Sequence, residues 1–303
     1  MVRVDVATAI RNALTVDVED YFQVSAFREW VSPKDWPTFE SRVVANTNRV
    51  LDLFDEAGAI GTFFVLGWIA EQHPQLVRQI AARGHEIACH GFSHQLIYGQ
   101  SPQVFAEETH RAKSLLEDQA QVPVNGYRAA SFSITAASRW ALDVLADCGF
   151  TYDSSMYPVR HDIYGTAVES NGPHRIAAPN GKTLIEFPMS ARSIMGVIVP
   201  ASGGGYFRLY PYALSAYLLR AVNADAEPFV FYMHPWEIDP DQPRIRASLK
   251  SRVRHYVNLG RCEAKLRALL RDFRFASMAQ VLADHSVASV DCARDATAAS
   301  GAR

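Results

Sequence analysis

The stretch Asn12-Ala-Leu-Thr-Val-Asp-Val-Glu-Asp-Tyr-Phe22 decides the fold of this chain and much of its chemistry. From Leu14 to Glu19, apolar residues alternate with polar ones, which predicts a half-buried strand with Asp17 and Glu19 on one face. Asp20 follows at once, so three acids within four residues repel one another, and a metal ion would relieve that repulsion. We therefore expect a strand that delivers carboxylates to an open edge of a sheet. The alternative is a solvated strand end with ordinary surface acids.

The composition is that of a globular protein of 303 residues with a large buried core. The net charge is −2 and no run of Lys or Arg stands out, so neither nucleic acid nor an anionic membrane is an expected partner. The four cysteines form no Cys-x-x-Cys pair, which argues against a thiolate zinc site and against a secreted disulfide framework. The N-terminus has no apolar signal segment, and the apolar run at residues 61–70 is too short to span a bilayer. We expect a cytoplasmic protein without membrane insertion.

Segments of strand length alternate with segments of helical periodicity along the chain. The strands expected after the first are residues 61–66, 86–89, 126–129, 184–187 and 228–233. A helix between successive strands implies a parallel sheet with right-handed crossovers. Repetition over most of the chain favours a β/α barrel, and the doubly wound alternative lacks a Gly-x-Gly-x-x-Gly after the first strand.

Polar clusters follow several of these strands, which is where a β/α barrel carries its chemistry. They are Asp17 to Asp20, His90 to His94, Arg128 and His234. His90 and His94 are four residues apart, so two imidazoles can reach one ion if the segment turns helically. Two neutral imidazoles and one carboxylate form a common catalytic site for zinc or a similar divalent ion. On the spacing alone, two unrelated histidines are the more common case.

Five sequence motifs occur in the order found in the NodB-type polysaccharide deacetylases, which form carbohydrate esterase family 4. They are Thr15-Val-Asp-Val-Glu-Asp20, His90-x-x-x-His94, Arg128, Asp153 and His234. The chain resembles this family over residues 13–285, and in detail it is similar to the subgroup found in exosortase-linked exopolysaccharide gene clusters. The resemblance implies a distorted, incomplete (β/α)7 barrel over 13–285. Residues 1–12 would be an N-terminal extension, and the small, polar residues 286–303 a disordered tail.

The resemblance also implies catalytic roles. Asp17 would be the general base and Arg128 the partner that orients it, while His234 would be the general acid, tuned by Asp153. Such a pair fits the chemistry, because a water molecule must lose a proton to attack an amide and the leaving amine must gain one. A backbone N–H within residues 129–132 would help to stabilise the oxyanion.

The expected cofactor is a divalent metal ion, most simply zinc, with cobalt or nickel as alternatives. The resemblance makes His90, His94 and the acid after Asp17 its ligands. The family has adjacent acids there, whereas here Val18 intervenes. Strand alternation places Glu19 beside Asp17, whereas a turn after Val18 would present Asp20, so both are candidates and Asp20 is preferred for its shorter side chain.

Two further positions depart from the family pattern. Gly91 stands where a Ser or Thr usually follows the first histidine, which removes a hydroxyl near the metal ligands. Arg128 is followed by Ala129 and Ala130 instead of the usual Arg-x-Pro, which changes the backbone expected to face the oxyanion.

The expected function is removal of N-acetyl groups from N-acetylhexosamine units of an exopolysaccharide or its precursor, with an N-acetylated glycan as the partner. The alternatives are a metal-independent, allantoinase-like amidohydrolase acting on a small cyclic amide and a catalytically silent glycan-binding barrel. Trp236, two residues after His234, is expected to stack on a sugar ring. Glu237 is either a partner within the site or a surface acid. Residues 203–208 are predicted to form a tight turn, and the alternative is a backbone that admits a substrate and offers Arg208 to an anionic group.

Overall fold

One curved sheet positions the candidate site. The computed structural model describes residues 10–159, 165, 166, 168 and 170–285. The strands within these residues are β1 (Arg11–Val18), β2 (Thr62–Val65), β3 (Glu86–Cys89), β4 (Gly126–Tyr127), β5 (Tyr152–Asp153), β6 (His174–Ala177), β7 (Thr183–Glu186), β8 (Ala191–Ile194), β9 (Val197–Pro200), β10 (Val230–Met233) and β11 (Arg274–Ala276).

Helices connect the strands and cover the outside of the sheet. The α-helices of the described part are α1 (Val43–Ala57), α2 (Gly67–Gln72), α3 (Pro74–Ala82), α4 (Pro102–Ala120), α5 (Ala141–Asp147), α6 (Gly204–Leu209), α7 (Tyr212–Ala224), α8 (Leu249–Tyr256), α9 (Leu259–Asp272) and α10 (Met278–Asp284). Gly58 has a φ of 62° and ends α1 in the left-handed conformation, as the sequence predicts. None of the described helices combines the length and the hydropathy needed to cross a bilayer.

The sheet order is β10-β1-β2-β3-β4-β5-β7-β6, with β11 paired to β1. Neighbouring strands from β10 to β7 run parallel, and β6 is antiparallel to β7. Strands β8 and β9 form a separate hairpin. Seven parallel strands therefore form the wall of the barrel, and among the described residues β10 pairs with neither β7 nor β6, so the barrel is not closed. This topology confirms the predicted α/β fold with an incomplete barrel.

Alternate side chains of β1 lie on opposite faces of the sheet, as the sequence predicts. Val16 and Val18 are fully buried in the large apolar cluster that the sheet forms with the outer helices. Thr15 and Asp17 lie on the other face, where both contact the guanidinium of Arg128. The same strand therefore anchors the fold through one face and presents a carboxylate through the other.

Several local predictions were wrong or incomplete. Residues 203–208 form no simple tight turn, because helix α6 begins at Gly204, where Gly203 and Gly204 have φ values of 129° and 55°. Strands β5, β6 and β11 and the β8–β9 hairpin were not predicted. Strand β1 begins at Arg11, inside the expected N-terminal extension. Residues 1–9 and the predicted tail at 286–303 lie outside the described residues, and the expected cytoplasmic location stays a prediction.

Candidate active site

Asp17 and Arg128 form a buried ion pair at the mouth of the barrel. Nη1 of Arg128 lies 2.7 Å from Oδ1 of Asp17 and 2.8 Å from Oγ1 of Thr15. The remaining donors of Arg128 face Ser154, with Nη2 at 3.1 Å from its Oγ and Nε at 3.3 Å from its carbonyl oxygen. The guanidinium also lies 4.0 Å from the ring centroid of Phe64. These contacts fix the carboxylate of Asp17 in one orientation, as the predicted role of Arg128 requires.

Glu19, His90 and His94 bring their ligand atoms within 4.8 Å of one another, which makes them a candidate metal triad. Oε2 of Glu19 lies 2.9 Å from Nε2 of His94. This oxygen is buried and makes no regular hydrogen bond among the described residues. A carboxylate oxygen and an imidazole nitrogen that face the same space are suitable ligands for one cation. The residues present therefore fit a divalent ion.

His90 is prepared for such a role by its second nitrogen. Its Nδ1 lies 2.8 Å from the carbonyl oxygen of Arg128, which can only accept, so Nδ1 carries the proton and Nε2 keeps its lone pair. The helical turn expected over residues 90–94 is not present. Instead, Gly91 and His94 have φ values of 75° and 52°. The positive φ at position 91 favours glycine over the usual Ser or Thr, which accounts for that departure from the family pattern.

Asp20 lies outside the triad, so the preference for it as the metal ligand is wrong. Its Oδ2 accepts hydrogen bonds from the hydroxyl of Ser41 at 2.8 Å and from the backbone N–H groups of Arg42 at 2.9 Å and Val43 at 3.2 Å. Its Oδ1 accepts from the N–H of Tyr21 at 3.0 Å. Since Arg42 offers α1 no side-chain cap, Asp20 caps that helix from a distance.

His234 faces the triad from the end of β10. Its Nε2 lies 3.3 Å from Oε1 of Glu19, and its Nδ1 lies 2.6 Å from Oε1 of Glu237. Glu237 is fully buried and also receives the guanidinium of Arg208, with Nε 3.0 Å from Oε2. Glu237 is therefore a partner within the site, which was one of the two roles predicted for it.

Asp153 does not make the contact with His234 that the resemblance implied. Its Oδ1 accepts a hydrogen bond from Ser155 at 2.5 Å, and its other oxygen faces Glu186. Oδ2 of Asp153 and Oε2 of Glu186 have no other donor in the described structure. Burial raises the pKa of both carboxyls, and the nearby Asp153 raises that of Glu186 further, which favours a proton shared by the two side chains. Of the described carboxylates, it is that of Glu237 which holds Nδ1 of His234.

Trp236 is a poor platform for a sugar, which corrects its predicted role. It is only 4% exposed, and its indole stacks on His234 at a centroid distance of 5.0 Å and on His255 at 4.1 Å. With both faces covered by imidazoles, it borders the cavity only at its edge. Trp236 therefore supports His234 instead of stacking on substrate.

The backbone after Arg128 leaves few N–H groups for an oxyanion. The N–H of Ala129 donates to Oγ of Ser155 at 2.8 Å, and that of Phe132 donates to the carbonyl of Ala129 at 3.0 Å. Ser131 lines the cavity and has a φ of 50°, so the chain turns sharply at this point. Within 129–132, the predicted oxyanion donor is therefore confined to Ala130 or Ser131.

The cavity around these groups has a volume of about 750 Å³. Its lining includes the carboxylates of Asp17 and Glu19 with their histidines, and Leu249 and Val253 of α8. Such a volume is within the range of small-molecule and oligosaccharide sites. The candidate base, the triad and His234 therefore share one accessible space.

Burial and neighbouring charges perturb the groups in this cavity. Burial opposes ionisation of Glu19, but His94 and His234 outweigh it and lower the pKa of Glu19 to about 2. Burial lowers the pKa of His90 to about 4, which favours the neutral imidazole that a metal needs. For His234, burial is outweighed by Glu19 and Glu237, which raise its pKa to about 9. The site thus combines an ionised acid, a neutral imidazole and a cationic imidazole.

The fold and the site together define a class of protein, an incomplete α/β barrel enzyme with a candidate metal triad. Two family models then match consecutive parts of the chain. Residues 34–152 match the polysaccharide deacetylase model, and residues 154–283 match a domain of unknown function, DUF3473. The match to the deacetylase model includes two of the five motifs, His90 to His94 and Arg128, and supports the resemblance of this part of the chain to that family.

Relatives align over short stretches. Over 48 residues the chain is 46% identical to a chitooligosaccharide deacetylase of Rhizobium leguminosarum bv. trifolii, which covers 16% of this chain and 22% of the relative. Over 78 residues it is 31% identical to a peptidoglycan-N-acetylglucosamine deacetylase of Bacillus cereus, which covers 26% and 37%. The chain thus spans well under half the length of each of these relatives.

Solved structures share the fold. A Mycobacterium smegmatis protein, provisionally named a polysaccharide deacetylase, aligns with a TM-score of 0.59 and 24% identity over 93% of this chain and 91% of its own. Puue allantoinase aligns with a TM-score of 0.58 and 14% identity over 91% and 89%. At these identities the likeness concerns the fold alone, and it supports the incomplete barrel.

Proposed function

We propose that this chain is a metal-dependent hydrolase that removes N-acetyl groups from N-acetylhexosamine units of a glycan. The observation that carries the proposal is that three separate groups of residues face one cavity. These are the carboxylate of Asp17 held by Arg128, the triad of Glu19, His90 and His94, and the imidazole of His234 held by Glu237. Deacetylation of an amide needs a proton acceptor, polarisation of the carbonyl and a proton donor.

Each residue has a task that its contacts permit. Asp17 accepts the proton of the attacking water, and Arg128 keeps that carboxylate oriented toward the cavity. A divalent ion held by Glu19, His90 and His94 would polarise the amide carbonyl as a Lewis acid. His234 directs Nε2 toward the triad and donates a proton to the nitrogen of the leaving amine. The N–H of Ala130 or Ser131 is the proposed second donor to the oxyanion.

The substrate assignment is finer than the family and is part of the proposal. The named relatives act on chitooligosaccharides and on the N-acetylglucosamine of peptidoglycan. Similarity to the exosortase-linked subgroup favours an exopolysaccharide or its precursor for this chain. Zinc is the proposed ion, with cobalt or nickel as alternatives. A silent glycan-binding barrel would have no use for the complete set of base, triad and acid.

The test is acetate release by the purified protein with its metal content measured in parallel. We expect about one divalent ion per chain and release of acetate from N-acetylglucosamine or N-acetylgalactosamine oligomers, read as a mass loss for each acetyl group. Removing the ion with a chelator should abolish turnover, and adding zinc or cobalt should restore it. A metal-loaded protein that releases no acetate from any N-acetylated glycan would contradict the proposal. Turnover of allantoin without metal would support the allantoinase-like alternative.

A further inference from the structure

The side of the site that carries His234 contains a buried ion pair that the five motifs do not include. Arg208 is 2% exposed and Glu237 is fully buried, and Nε of Arg208 lies 3.0 Å from Oε2 of Glu237. The other oxygen of Glu237 contacts His234 twice, at 2.6 Å from Nδ1 and at 3.3 Å from the backbone N–H. One carboxylate therefore joins the guanidinium to the imidazole.

The guanidinium of Arg208 is itself held on all sides. Its Nη1 donates to the carbonyl oxygens of His255 and Val257, the latter at 3.1 Å, and its Nη2 donates to that of Arg254 at 3.3 Å. These acceptors lie at the C-terminal end of α8, where the helix dipole favours a cation. Arg208 cannot move without breaking that helix end, so the position of Glu237 is fixed in turn.

Stacking fixes the plane of the imidazole as well. Trp236 lies between His234 and His255, with interplanar angles of 20° on both sides. His255 is buried and its Nε2 lies 2.7 Å from Oε1 of Gln242. The stack leaves His234 little freedom to rotate, and its Nε2 points to the triad.

We infer that Glu237 and Arg208 are a positioning pair that holds His234 as the proton donor, in place of the partner expected at Asp153. This inference rests on the proposed function. A carboxylate at Nδ1 keeps a proton on that nitrogen and leaves Nε2 to exchange its proton with substrate. Both residues lie in 154–283, the part that matches a domain of unknown function. That region therefore supplies the proton-donating half of the active site.

The substitution Glu237→Gln tests the pair because Arg208 can only donate hydrogen bonds. The amide oxygen must turn to Arg208, so the amide N–H₂ faces Nδ1 of His234 and favours the tautomer protonated on Nε2. We expect kcat to fall by about 100-fold or more, with KM changed less than about threefold, because orientation for proton transfer is lost while substrate contacts remain. Metal content should not change.

The matched control is Asp153→Asn, which alters the buried carboxyl that the resemblance had paired with His234. It should leave kcat within about fivefold of the wild type, since Asp153 contacts Ser155 and Glu186 and makes no hydrogen bond to His234. A large loss of kcat in Asp153→Asn together with a normal kcat in Glu237→Gln would overturn the pair. If the wild type releases no acetate, the proposed function fails, and the tautomer measurement below still decides on the pair.

Nitrogen-15 NMR of the histidine rings supplies a readout that does not depend on activity. In the wild type, Nδ1 of His234 should carry a proton that exchanges slowly, and Glu237→Gln should move the proton of the neutral ring to Nε2. A wild-type Nδ1 without a proton would overturn the inference even if the variant failed to fold. The inference would also be overturned if folded Glu237→Gln had the same tautomer populations of His234 as the wild type.

Discussion

The two halves of the active site are built in different ways. The half around β1 places the base and the triad on strand ends, where Asp17, Glu19 and His90 follow from the parallel sheet. The half around β10 depends on helix α6, the end of α8 and a stack of three rings, all from distant parts of the chain. The first half is thus specified by local sequence, whereas the second is specified by packing. Motifs describe the first half well and the second half incompletely.

The largest expected effect concerns the triad. His94→Ala removes one of its three protein ligands, so the protein should lose the ion and its turnover together. Metal analysis of the dialysed variant and acetate release measure the two losses. His110→Ala is a suitable control, because the exposed His110 lies on α4 outside the triad and its loss should change neither quantity. Full metal content in His94→Ala would remove it from the ligand set.

The next effect separates the two acids that follow Val18. Glu19→Gln should bind the ion much more weakly, since a neutral amide oxygen replaces the charged ligand. Asp20→Asn should keep the ion but lose about 1 to 3 kcal/mol of unfolding free energy, because the amide N–H₂ opposes donors that cap α1. Metal titration and chemical denaturation of both variants measure this. The comparison would be reversed if Asp20→Asn lost the ion and Glu19→Gln kept it.

The choice between Glu19 and Asp20 also shows which features of the site the sequence alone can predict. Alternation along β1 predicts the strand and the sharing of a face by Thr15 and Asp17, whereas the pairing of Asp17 with Arg128 is what the resemblance to the family implies. It leaves Glu19 and Asp20 undecided, because the choice depends on a tight turn in which the N–H of Glu19 lies 3.1 Å from the carbonyl of Asp17. It also depends on the donors at Ser41 and Arg42, about twenty residues further along the chain.

The partner of His234 was harder to predict for the same reason. Spacing alone cannot show that Asp153 lies beside Glu186, or that Arg208 reaches Glu237, since both are contacts between distant segments. A usable signal was present: Glu237 follows His234 by three residues after Pro235, a spacing that suits a capping contact. Trp236 was misjudged because an aromatic residue beside a site gives no indication of which face is covered.

The smallest expected effect concerns the buried pair of Asp153 and Glu186. Burial raises the pKa of Glu186 above its unfolded value, so stability present at low pH is lost as the pH rises through the carboxyl range and above. Glu186→Gln cannot ionise and can still accept from the N–H of Met156 and donate to Asp153. Its unfolding free energy should therefore fall less than that of the wild type between about pH 5 and pH 8. Parallel denaturation curves at several pH values measure the difference, and a steeper fall for the variant would contradict the shared proton.

The most direct test of the division between base and triad is Asp17→Asn, with metal content and acetate release measured on the same preparation. The amide matches the carboxylate in size, and Glu19, His90 and His94 remain, so the ion should stay bound. Turnover should fall by about two to four orders of magnitude, because the proton acceptor is lost. Loss of the ion from Asp17→Asn, or turnover close to that of the wild type, would show that Asp17 is not the base.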